Sequence, residues 1–266
     1  MLIAAAVCPH PPLLVPEVTG ASGPGARELG RLRAACREAV AALLAANPDL
    51  LVAVGGAGRT GEYPATAAGS LRDFGVPFTV GQDLTGTALP LSLTIAKWLI
   101  EGATLAEGAT LAAPPVAWWG IASGAATAEC LNLGEKLAAL APRVALLAMG
   151  DGPGRRARGT PGAEDPGAGR YEDQVAAALA AADPDALAAL GSSQDDDLAV
   201  AGRAAWQVLA GAASQAGAAS QAGAASHAAG QGTFVGDLRY AAAPFEVSYF
   251  VVTWLRPAHR LTVRAH

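Results

Sequence analysis

The chain has 266 residues, of which 52% are hydrophobic and only 15% charged. That is enough apolar surface to bury a large core and too much for a disordered protein. A net charge of −5 argues against a nucleic-acid binder, which would present a basic face to phosphates.

Leu2–Val7 is an apolar run of strand length that stops at Cys8-Pro9-His10-Pro11-Pro12. The prolines fix φ and remove donors, so neither helix nor ladder continues through His10. In an open α/β sheet, a polar residue just past the first strand lies where ligands bind, outside the carboxyl ends of the strands. Residues 30–46 carry apolar side chains at helical intervals and end before Pro48. Leu50–Val54 follows as a buried strand, then the glycine-rich turn Gly55–Gly58. Strand, helix and strand in this order make a βαβ unit, which predicts a parallel sheet. Further helices are predicted at 89–100, 129–140, 171–182, 184–190 and 198–213. Further strands are predicted at 115–121 and 143–149, the latter ending at Gly150-Asp151-Gly152. Residues 150–170 form a long Gly/Pro/Arg loop. The hexad Gly-Ala-Ala-Ser-Gln-Ala occurs at Gly211 and Gly217, with a His227 variant from Gly223. Its period fits neither helix nor strand, so 211–232 reads as a flexible low-complexity insertion. Phe245–Trp254, rich in β-branched and aromatic residues, reads as a core strand. The expected fold is α/β, a mostly parallel central sheet with helices on both faces, in one domain over 1–266.

Three cysteines, Cys8, Cys36 and Cys130, lack metal-ligand spacing and point to a reduced compartment. With no signal-peptide pattern and no uninterrupted apolar span, a cytoplasmic protein without membrane contact is expected. The cleft should lie near His10, Gly56, Asp151 and Phe245. Cys8 and His10, two apart, share a face in extended chain and offer a soft metal such as copper or zinc a pair of ligands, with Glu246 or a distant histidine as a further one. The plainer reading of Cys8 is a buried thiol. Gly56-Ala-Gly58-Arg-Thr-Gly61 matches the dinucleotide fingerprint, with Asp83 about twenty residues on, and suggests a nucleotide-binding enzyme if a helix follows. Arg155, Arg156 and Arg158 suit either an anion clamp or a solvated loop. Asp195–Asp197 reads as a helix cap rather than a metal cage. Trp118 and Trp119 alternate across a strand, one toward a pocket and one toward the core. No Ser-His-Asp or Cys-His arrangement is evident among the four histidines, His10, His227, His259 and His266.

The segments Cys8–Val18, Gly150–Gly154 and Ala243–Trp254, in this order of elements, resemble the LigB-like, Memo-related family of class III extradiol ring-cleavage dioxygenases. The resemblance implies a non-haem Fe(II) centre that cleaves catechol-like substrates with O₂, with His10 at a metal-ligand position and Asp151 as the matched residue of the catalytic turn. It also implies a second imidazole after the second strand, a catalytic histidine closing the Gly-Asp turn, and a carboxylate before the late Ala-Pro-aromatic turn. Here those places hold Gly55–Gly58, Gly154 and alanine, with Glu246 close by. The iron centre therefore reads as degenerate, leaving a small-molecule or protein-binding role, with a small aromatic molecule as the candidate ligand, or altered chemistry. A non-catalytic interaction protein, assembling as a homodimer, is the other reading.

Overall fold

Alternate residues of the first strand, β1 (Leu2–Cys8), enter two different cores, and this sets the architecture. Ala5 and Val7 join one apolar cluster, while Ala4, Ala6 and Cys8 join the other. Such a strand is buried on both faces, as expected at the centre of a parallel sheet. The computed structural model describes residues 1–19, 25–81, 83–106, 114–154, 166–191, 200–223 and 234–257.

After β1 come a one-turn helix α1 (Pro16–Thr19), the long helix α2 (Ala26–Ala45) and strand β2 (Leu50–Ala57). A stretch of short strands follows: β3 (Gly61–Tyr63), β4 (Ala67–Ser70), β5 (Thr79–Val80) and β6 (Asp83–Ala88). Then α3 (Leu91–Ala106), β7 (Val116–Ala122), α4 (Thr127–Ala138) and β8 (Val144–Met149) alternate. The last third holds α5 (Pro166–Ala181), α6 (Pro184–Ala188), α7 (Arg203–Gly223), β9 (Val235–Ala242) and β10 (Tyr249–Leu255).

The main sheet has the order β3-β7-β2-β8-β1-β10-β9. Its four central strands, β7, β2, β8 and β1, run parallel, and β3, β10 and β9 are antiparallel to their inner neighbours. The fold is thus single-domain α/β with a mixed sheet whose core is parallel. Helices α2 and α3 cover one face through Leu32, Cys36, Val40, Leu43, Leu93 and Ala96. Helices α4, α5, α6 and α7 cover the other, centred on Trp206, Phe250 and Trp254. The outer strand β9 carries Asp237 and Arg239, which pair with each other at 3.1 Å while Arg239 reaches Glu38 at 3.3 Å. Charges on an edge strand discourage pairing with another chain.

Two expectations change. Gly55 and Gly56 belong to β2 instead of a turn, because the ladder to β7 continues as far as Ala57 and Ala122. The repeat starting at Gly211 does not begin as a flexible insertion: α7 runs through Gly223, and Gly211, Ala212 and Ala213 are buried. Alanine favours helix whatever the sequence period, and the small side chains let α7 lie against α4. Residues 224–232 of that insertion lie outside the described residues.

Candidate functional site

The register of the sheet carries one row of residues across the carboxyl ends of its parallel strands. Cys8 pairs with Met149 in the parallel β1–β8 ladder, so two residues further on His10 comes level with Asp151. The Asp151 Oδ1 accepts the His10 backbone N–H at 2.7 Å and stands 3.6 Å from His10 Nδ1. Val7 pairs with Val252 in the antiparallel β1–β10 ladder, and continuing that register places Tyr249 opposite His10. Gly55 pairs with Met149 in the β2–β8 ladder, which brings Ala57 level with Asp151. The row thus reads Ala57, Asp151, His10, Tyr249, with adjacent strands about 4.8 Å apart.

Local chemistry holds the row in place. Pro9 and Pro11 end β1 and start a single 3-10 turn at Pro12–Leu14. Gly150 donates its N–H to the Cys8 carbonyl at 2.9 Å. The turn after β8 is pinned to the chain entering β10 by Gly152 N–H to the Ser248 carbonyl (2.7 Å) and Ser248 N–H to the Pro153 carbonyl (3.0 Å). The Ser248 hydroxyl donates to Glu172 at 2.8 Å. Beside this turn, Phe245 lies on the start of α2 at Gly25, whose φ of +79° and contact with the ring (2.6 Å from the place of a β-carbon) leave room only for glycine.

His10 is 8% exposed and its Nδ1 is buried without a hydrogen-bond partner. Tyr249 is 3% exposed. Burial pushes its phenol well above the ordinary range, and the neighbouring Asp151 charge pushes it further. Below the row, Cys8 and Cys36 touch. Burial, and then contact with Cys8, raises the Cys36 thiol, so Cys36 is apolar filling and not a reactive thiolate. Tyr240 is raised too, by burial and by donating its hydroxyl to Glu28 at 2.7 Å.

Both phenols give the protein an alkaline limit. Their folded pKa values lie above the ordinary 10.0, so the associated stability is complete below that pH. It is lost as pH rises above it, where the unfolded chain ionises and binds fewer protons. Urea midpoints should fall between about pH 9 and about pH 11, and Tyr240→Phe or Tyr249→Phe should flatten that fall.

The structure brings together His10, Asp151 and Cys8, but Glu246 does not complete a ligand set with them. Glu246 is exposed, on a turn where its φ is +62°, and no three His, Cys, Asp or Glu residues converge to hold a metal among the described residues. Gly56 and Gly61 lie in β2 and β3, and no helix starts there, so the nucleotide fingerprint lacks its phosphate-binding helix N-terminus. The Gly56 carbonyl instead accepts the Ser92 hydroxyl at 2.7 Å. Trp118 packs in the core under the Lys97 ammonium, 5.0 Å from the ring centroid. Trp119 lines a groove of about 830 Å³ with Glu129, Asn132 and Lys136, at the β3 edge and not at the row. Arg155, Arg156, Arg158, Asp195–Asp197, His227, His259 and His266 lie outside the described residues. Among the described residues no helix is long and apolar enough to cross a membrane.

The residue that sequence reasoning misses is Tyr249. Phe245–Trp254 is legible as a core strand, but nothing local announces that it pairs with β1 and so sets the Tyr249 phenol near Asp151.

No family model and no curated protein matches the chain. Among solved structures it is similar to the crystal structure of uncharacterized protein JW3007 from Escherichia coli K12, at 14% identity and a TM-score of 0.51, over 94% of this chain and 99% of that one. At this identity the likeness concerns the fold.

Proposed function

We propose that the chain is a LigB-like protein, related to the non-haem Fe(II) extradiol dioxygenases, whose iron centre has decayed and whose strand-end cleft binds a small aromatic molecule without opening its ring. The observation that carries this reading is the row Ala57, Asp151, His10, Tyr249. A facial triad needs two imidazoles and a carboxylate around an ion with open positions. The described residues do not fit that group: His10 is the one imidazole, alanine stands beyond Asp151, and Asp151 is engaged by the His10 backbone N–H. What the described residues offer is an imidazole, a carboxylate and a phenol at the carboxyl ends of the parallel strands, the place where open α/β sheets bind ligands.

Metal analysis of protein purified from iron-supplemented culture, with oxygen uptake in the presence of catechol, tests the reading. The expected result is far less than one iron per chain, unchanged in His10→Ala, and no catechol-dependent uptake. Catechol should nevertheless raise the melting temperature of the wild-type protein, because a ligand that binds only the native state stabilises it. One iron per chain, removed by His10→Ala, would overturn the reading.

A further inference from the structure

The groove of about 830 Å³ between α4 and the β3 edge of the sheet shares no lining residue with the strand-end row. Trp119 from β7 lines it together with Leu133 and Leu137 from α4, which are 8% and 1% exposed. Glu129 and Lys136 stand exposed on the same face of α4, two helical turns apart, or about 10 Å along the axis. At that separation they do not neutralise each other. The Glu129 Oε1 accepts the Thr60 hydroxyl at 2.8 Å, and Thr60 Oγ1 accepts the Ala122 N–H at 3.2 Å, so the carboxylate is tied to the end of β7. Lys136 forms no ion pair with a described residue. The Trp119 Nε1 is buried and has no hydrogen-bond partner among the described residues, whereas buried polar groups are nearly always paired.

An apolar floor, a fixed anion at one end, an unpaired cation at the other and an unused N–H donor complement a molecule with the opposite features. Such a molecule carries an ammonium, a carboxylate, apolar side chains and a carbonyl oxygen. A short peptide with free ends has all four, and three extended residues span about 10 Å. A single amino acid is too short to meet both charges. A second copy of this chain is disfavoured by the charged rim, because interface cores are depleted in charged residues. We propose that this groove binds a peptide of about three residues, its ammonium at Glu129, its carboxylate at Lys136 and a peptide carbonyl on the Trp119 indole N–H. This site stands independently of the reading of the strand-end cleft.

The test uses the full chain labelled with nitrogen-15 and the tripeptide leucyl-alanyl-leucine, with its N-acetyl form, its C-terminal amide and free leucine as comparisons. Trp119→Phe assigns the indole resonance, and circular dichroism checks that each variant folds. The tripeptide should shift the Trp119 indole N–H and bind more tightly than leucine. Lys136→Gln should weaken it about threefold, the scale of an exposed ion pair. Amidation should weaken binding to the wild-type protein by the same factor and make no difference to Lys136→Gln. Glu129→Gln should behave in the same way toward acetylation. Absence of tripeptide binding, leucine binding as tightly, or blocked ends that weaken wild type and variants alike would overturn the proposal. His10→Ala should leave tripeptide affinity unchanged, and a loss there would show that the peptide occupies the strand-end cleft instead.

Discussion

Gly134→Ala is expected to destabilise the protein by about 3 kcal/mol, although the same exchange in an exposed helix stabilises by about 1 kcal/mol. Gly134 lies in α4 where α7 crosses it. A β-carbon there would press into the Val208 carbonyl oxygen and come within 2.6 Å of the Ala212 nitrogen. Gly211, on α7, is the reciprocal contact, facing the Leu131 carbonyl. Both obstacles are backbone, which cannot swing aside as a side chain can, so the helices must separate and their apolar faces lose contact. The melting temperature should fall roughly 6–12 °C for either variant. The double variant should cost less than the sum, because both glycines serve one interface. Gly30→Ala is the control: Gly30 is in α2 with nothing within 4 Å of an added β-carbon, and this change should raise stability by about 0.5–1 kcal/mol.

Arg203→Met should cost about 3–5 kcal/mol in urea unfolding, while Arg239→Met on the outer strand should cost under about 1 kcal/mol. Arg203 is 1% exposed. It donates to the Gln207 Oε1 at 2.7 Å, the Ser123 carbonyl at 3.1 Å and the Ala125 carbonyl at 3.2 Å. Gln207 in turn donates to the Ala188 and Leu190 carbonyls at 3.1 and 3.0 Å. One guanidinium therefore ties the start of α7 to the turn after β7 and, through Gln207, to the end of α6. Methionine fills the volume but strips three acceptors of their charged donor, the costly way to break such a network. Arg239 keeps solvent access and paired carboxylates, so its loss is screened. A cost for Arg203→Met near that of Arg239→Met would show that water reaches these carbonyls.

The strands legible from sequence are the interior ones, Val116–Ala122 among them. Leu2–Cys8, Leu50–Ala57, Val144–Met149 and Tyr249–Leu255 lie in predominantly apolar runs, and burial on two sides demands such runs. The strands that escape a sequence reading are edge or excursion strands: β9, with Asp237 and Arg239, and β3 to β6, rich in Gly, Thr and Ala. Their pairing follows from neighbours instead of composition. The helix pattern of α7 is visible but stops short of its true end, because a hexad period hides the helix propensity of alanine. At the site, His10 and Asp151 stand out because prolines and glycines break the chain around them. Tyr249 does not, because its importance lies in register across three strands.

That register has a consequence for when the site comes into being. Its members are residues 10, 151 and 249, delivered by β1, β8 and β10. Contacts so distant along the chain carry a large loop-closure cost and form late in folding. A nascent or truncated chain ending before Tyr249 holds an imidazole and a carboxylate but not the phenol of that row. Completion of the row is thereby deferred to the last strand to dock, and its assembly reports on whether the whole polypeptide has folded.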